Sequence, residues 1–223
     1  MRPYPRAARD VMTQVEGDLA KPALKKKGSK ARARILDAAY ELFTTRGIGR
    51  VGVNAILARS GAAKASLYAN FRSKTGLALA VLDRREVLWT RNWVEAEVKR
   101  RATEPREKLL AIFDLYDGWF RRKDFEGCTF LNALLEAKTG GPVHRAAVRH
   151  LIVIREFYAG LAEEAGLAET EKFAQVWHIL AKGAIVAAQE GNQDAARDAK
   201  RGARLVLEGW PAAFAVTREA HRA

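Results

Sequence analysis

The sequence holds a single cysteine, Cys128, in 223 residues, so no disulfide can close within the chain. One thiol suits a reducing compartment, and a cytoplasmic location is expected. Proline is scarce: there are six, and none falls between Pro22 and Pro105. Over that span nothing blocks a helix sterically. No run of about 18 apolar residues occurs, so no helix is expected to cross a membrane. The basic N-terminal residues have no apolar stretch behind them, which argues against a secretory signal. The four histidines, His144, His150, His178 and His221, lack metal-ligand spacing, and His144 and His150, six apart, share no helix face. There is no CxxC, no HExxH and no glycine-rich phosphate loop. No metal ligand, cofactor site or catalytic residue is nominated, and no enzyme is expected.

What is present is charge, and it is unevenly placed. The net charge is +13. Residues 1–75 hold 16 Lys/Arg against 5 Asp/Glu, and residues 76–223 hold 23 against 21. A basic segment followed by a near-neutral one reads as a polyanion-binding module joined to something else. Hydrophobic residues make up 48%, which fits a globular chain. Beyond residue 29 the apolar pattern has helical spacing and no strand alternation, so the fold class is all-α.

The organising stretch is VNAILARSGAAKASLYANFRSK, residues 53–74. Val53, Ile56 and Leu57 place a short helix over about 53–60, and Gly61 supplies a left-handed ending. A second short helix follows from about Ala63 to Phe71, burying Leu67 and Phe71. Its outward residues, Lys64, Ala65, Ser66, Tyr68 and Ala69, suit the major groove. With Asn54, Asn70 and Lys74 they form the candidate DNA-binding set. Ser73 can cap the next helix, whose start at Lys74 can hold a phosphate. Before this stretch, Ile35, Ala38, Ala39, Leu42 and Phe43 form the stripe of a helix over about 30–46, stopped by Gly47.

From about Arg32 to Leu82 this pattern resembles the DNA-binding domain of the TetR family of bacterial transcriptional regulators. The resemblance rests on Ile35, Ala38, Ala39, Leu42, Phe43, Gly47, Ile56, Gly61, Lys64, Ser66, Leu67, Tyr68, Phe71, Ser73, Lys74 and Leu77. It implies that Tyr68 and the Ser73–Lys74 start contact the DNA backbone, and that Lys64 lies at the mouth of the reading helix. Gly52 and Ala63 depart from it, since the family often has Ser or Thr there. Both positions therefore lack a capping hydroxyl.

Residues 1–29 carry Pro3, Pro5, Pro22 and a lysine run, and read as a basic flexible arm that either follows DNA or is a solvated tail. Residues 30–76 are the expected helix-turn-helix domain. Residues 77–223 are the expected helical effector-binding and dimerisation domain. There a gap-free run suggests one helix from Lys74 to about Arg101. Further helices are expected from a Thr103 cap to about Arg122, within Phe125–Gly141, from Pro142 to Gly166, from Thr170 to Glu190, and from an Asp194 cap to Trp210.

This region is rich in aromatics. Trp89, Trp93, Phe113, Tyr116, Phe120, Phe130, Phe157 and Trp177, with Asn132, Glu136 and His178, are the candidates for a mainly apolar ligand pocket. Ordinary core packing is the rival reading. Cys128 reads either as a buried inert thiol or as a redox sensor helped by Arg121, Arg122 and Lys123. Gly183, Ala184, Ala187 and Ala188, and Ala196, Ala199, Ala203, Val206 and Trp210, form two small-residue surfaces on the last helices. These are the candidate homodimer interface, with intrachain core as the alternative. The resemblance implies the same four-helix interface.

The expected function is a dimeric, sequence-specific DNA-binding regulator, a repressor released from a near-palindromic operator by a small-molecule effector and nucleoid-associated when bound. A non-specific nucleoid-type or RNA-binding protein and a helical enzyme or carrier are the alternatives.

Overall fold

A computed structural model of the protein describes residues 26–213. Most of the expected arm, and His221, lie outside the described residues. Helix α1 spans Lys26–Arg46, α2 Val53–Ser60, α3 Lys64–Phe71 and α4 Lys74–Arg85. A π-helical segment, Glu86–Glu95, separates α4 from α5, Ala96–Arg101. Then come α6 Pro105–Phe120, α7 Thr129–Glu136, α8 Pro142–Glu164, α9 Thr170–Gln189 and α10 Ala195–Gly209. Among the described residues the only β pairing is an isolated bridge between Leu167 and Ala212. The all-α class is confirmed.

The described residues pack as two compact units: those up to 92 with 128–150, and 93–127 with those from 151 onward. This division by packing falls elsewhere than the functional division expected after residue 76.

Unit 1 is built on α1. Ile35, Ala38, Ala39, Leu42 and Phe43 are all buried, as their spacing requires. They meet Ile56 of α2, Leu67 and Phe71 of α3, and Leu77, Ala78 and Val81 of α4 in one cluster. Two surface ion pairs, Arg59–Glu41 and Arg84–Asp37, tie α2 and α4 to α1. α1 begins at Lys26, four residues before the expected start.

Unit 2 packs α6, α9 and α10 around Leu109, Ile112, Phe113, Phe173, Trp177 and Leu207. After α10 the chain returns to the α8–α9 turn. Trp210 Nε1 donates to the Ala168 carbonyl at 2.7 Å, and the Ala168 N–H donates to the Pro211 carbonyl at 2.9 Å.

Several expected boundaries are corrected. The run from Lys74 to Arg101 is not one α-helix, because the π register intervenes over Glu86–Glu95. There Trp89 is placed against the Arg85 guanidinium, 4.0 Å from its ring centre, and Glu86 bonds Arg91 at 2.7 Å. Glu104, not Thr103, precedes the first turn of α6, with Pro105 at its start. α6 ends at Phe120 rather than Arg122, and α7 ends at Glu136, well before Gly140.

Candidate nucleic-acid interface

The turns fix how α3 is presented. Gly61 adopts φ 60° and its N–H closes on the Leu57 carbonyl at 3.0 Å, which ends α2 sharply. Neither α2 nor α3 has a side-chain cap, because Gly52 and Ala63 offer no oxygen. The other end of α3 is tied down more firmly. Arg72 takes φ 64°, unusual without glycine, and its N–H bonds the Tyr68 carbonyl at 2.9 Å. The Ser73 N–H donates to the Phe71 carbonyl at 2.7 Å, and Ser73 Oγ accepts from the Gly76 N–H at 3.0 Å. The Ser73 cap is thus as expected. A Cβ at Gly76 would overlap the Phe71 carbonyl oxygen, so this position excludes side chains.

Held in this way, α3 turns Leu67 and Phe71 inward and Lys64, Ala65, Tyr68 and Ala69 outward. Tyr68 is 41% exposed, unusual for a large apolar ring. Ser66 and Asn70 are half-buried, and Asn70 Nδ2 donates to the Ser66 carbonyl at 2.7 Å. Asn54 is exposed on α2. Lys74, at the α4 start, lies 3.5 Å from the Gly49 carbonyl. Among the described residues Arg32, Arg34, Arg50, Lys64, Arg72 and Lys74 form no ion pair, although Arg32 lies over the Phe71 ring at 5.3 Å. The face is small at its start and basic around its edge, with a phenol between, and α3 carries no acidic residue. Backbone phosphates and base edges are what such a face can hold.

Sequence reasoning did not single out Arg72 or Gly76. A basic residue just before a capping serine and a glycine three after it were the available signals. It named Glu136 only as a pocket candidate and did not foresee that its Oε2 accepts from the Gly49 N–H at 3.0 Å across 87 residues.

The pocket candidates divide between the units. Trp89, Phe130, Asn132 and Glu136 belong to unit 1. There Phe130 stacks on His150 with ring centres 4.9 Å apart, and exposed Glu136 faces the Gly47–Gly49 turn. Burial pushes His150 below the usual histidine range, opposed by Asp83 at 3.2 Å and by Glu86. Trp93, Phe113, Tyr116, Phe120, Phe157, Trp177 and His178 belong to unit 2. Phe113 meets Trp177 edge-on at 5.5 Å, and Tyr116 shares a 3.1 Å hydroxyl contact with Tyr158, whose ring meets His178 at 5.7 Å. Burial lowers His178 to about 4, with Lys182 and Arg155 adding to the effect. Its imidazole is therefore neutral near pH 7. Cys128 is half-buried and stands just before α7, its carbonyl accepting from the Asn132 N–H at 2.9 Å.

The expected interface seam needs correction. Ala184, Ala196 and Ala203 are 4%, 0% and 0% exposed within one protomer, so they are core and cannot meet a second copy. Trp210 is likewise engaged within unit 2, edge-on to Phe173 at 5.2 Å. Gly183 is exposed, and Ala187, Ala188, Ala199 and Val206 are half-buried.

Small folded-back helices, a capped turn and an unpaired basic face define a helix-turn-helix DNA-binding protein. Residues 35–81 match the family described as bacterial regulatory proteins, tetR family. A TetR-family transcriptional regulator from Streptomyces coelicolor is 28% identical, with 81% of this chain and 95% of that one covered at TM-score 0.73. A putative TetR transcriptional regulator from Streptomyces avermitilis is 25% identical, with 78% and 98% covered at 0.67. NemR of E. coli in its reduced form shares the fold, at 19% identity, 79% and 96% coverage and TM-score 0.68. No curated protein matches the chain in sequence. Residues 35–81 thus match the DNA-binding segment of the TetR family, and over most of its length the chain is similar to TetR-family transcriptional regulators, which are DNA-binding proteins. Among the described residues no helix is long and apolar enough to cross a membrane.

Proposed function

We propose that the protein is a homodimeric repressor that binds a near-palindromic operator and is released by a small, mainly apolar effector. The observation carrying this reading is the outward face of α3, with Lys64, Ala65, Tyr68 and Ala69 exposed between two tightly closed turns. One eight-residue helix contacts few base pairs, so a two-fold pair of such helices is needed for specificity. A face for pairing exists on α9 and α10. Ile179, Val186 and Leu205 are 63%, 41% and 71% exposed, and Gly183 lies between the first two. Exposed aliphatics at helical spacing favour a partner helix. The seam is thus the outer side of these helices, with Gly183 kept and Ala184, Ala196 and Ala203 removed.

Support for an effector comes from unit 2. Trp177 Nε1 is buried with no hydrogen-bond partner among the described residues, a costly condition that a ligand oxygen would relieve. Neutral His178 could orient the same molecule. In this mechanism the effector binds more tightly to the protein whose reading helices do not match the half-site spacing, and its differential affinity shifts the population.

The test is genomic selection: purified protein, sheared source DNA, about 150 mM salt to suppress weak non-specific binding. A single enriched near-palindrome is the expected result. Broad recovery without a motif would favour a non-specific nucleoid-type protein.

A further inference from the structure

Unit 1 contains a cleft of about 290 Å³ that the effector reading does not use. It opens beside the α1–α2 turn, the start of α4 and the α7–α8 connection. Half-buried Ile48 and Val143 give it an apolar floor, backed by buried Ala78 and Ala133, and Lys74, Lys138 and Glu136 stand around it. The three charges are not equivalent. The Glu136 carboxylate is turned onto the Gly49 N–H at 3.0 Å. Lys74 has only a long contact to the Gly49 carbonyl, at 3.5 Å, and Lys138 is exposed with no ion pair among the described residues. Two available ammonium groups over a hydrocarbon floor complement an amphiphilic anion. The volume sits at the small end of ligand pockets, which limits the guest to one ring or a short branched chain.

We propose that this cleft binds a small apolar carboxylate, with its charge between Lys74 and Lys138 and its hydrocarbon part on Ile48 and Val143. The guest and a DNA phosphate compete for Lys74, so occupancy weakens operator binding. That consequence rests on the DNA-binding reading of α4; the binding itself does not.

The test is isothermal titration of the full-length protein with benzoate, benzylamine and inorganic phosphate. Saturable benzoate binding is expected, with benzylamine at least roughly tenfold weaker because its charge is wrong. Phosphate, which has no apolar part, should not saturate. Lys138→Ala should weaken benzoate roughly tenfold and leave operator affinity without benzoate unchanged. Glu136→Gln should tighten benzoate several-fold by removing a like charge. Absence of saturable benzoate binding, preference for benzylamine, or a Lys138→Ala variant that binds benzoate normally would each overturn the proposal. So would loss of benzoate binding in His178→Phe but not in Lys138→Ala, which would put the site in unit 2. If Lys138→Ala instead lowers operator affinity and the salt slope by about 1, the rim is a DNA contact and the small-molecule claim falls. Failure of the DNA reading is separately visible as absence of operator binding while benzoate still titrates.

Discussion

Lysine is used in two ways in this molecule. On α3, Lys64 is exposed, with no acidic residue on its own helix. On α10, Lys200 places its ammonium 2.6 Å from both oxygens of Asp114 on α6. The pattern extends beyond the two residues. Arg32, Arg34, Arg50, Arg72 and Lys74 are left without ion pairs among the described residues of unit 1. In unit 2, Arg121 bridges Asp117 and Asp194, Arg197 joins Asp194, and Lys108 reaches Glu164. Unpaired cations stay hydrated and available to a polyanion, whereas paired ones hold helices in register and add little net field. Composition already hinted at this, since the second part of the chain nearly balances its charges.

Replacements can break this contrast, and the largest effect lies in the core of unit 2. Trp177→Ala should cost about 3–5 kcal/mol, read by chemical denaturation, because a fully buried indole leaves a cavity. Next comes pH. The folded state holds His178 at about 4, below the ordinary value near 6.5, so the unfolded chain takes up the proton first. The stability from His178 is therefore complete above about 6.5 and is lost as pH falls towards 4. The loss is up to about 3 kcal/mol, with His150 lowered in the same direction. Denaturation midpoints from pH 7 to 4.5 should fall steeply in wild type and less in His178→Phe. A smaller effect is expected at the turn that holds α3. Ser73→Ala removes the oxygen that accepts from Gly76 N–H and should cost about 1 kcal/mol. The smallest change should come from Lys200→Ala, under about 1 kcal/mol because the pair is partly solvated, with operator affinity unaltered.

The parts of this fold that were legible in sequence are those decided locally. The bounds of α2 agree with the spacing of its apolar residues and with Gly61. The Ser73 cap could be read because a serine before a helix has one obvious acceptor role. The stripe from Ile35 to Phe43 buries in full because helical period alone selects the face. What was not legible depends on partners distant in sequence. A spacing of three and four places Ala196, Ala199 and Ala203 on one side of α10, but cannot say whether that side meets α6 and α9 or a second copy. Burial at 0% for Ala196 and Ala203 decides for the intrachain core. The π segment escaped notice because a run without Gly or Pro fits either register. Glu136 looked like a polar group among aromatics, yet it bonds a backbone amide 87 positions earlier. The positive φ of Arg72 carries no sequence mark, since glycine, not arginine, is the usual sign of that conformation.

The most direct test of the central claim is fluorescence anisotropy of Lys64→Ala on the selected operator and on scrambled DNA over a range of salt. The account predicts stability within about 0.5 kcal/mol of wild type, roughly tenfold weaker operator binding and a salt slope lower by about 1. Unchanged affinity and slope, with the fold intact, would contradict the assignment of α3 as the DNA-reading helix.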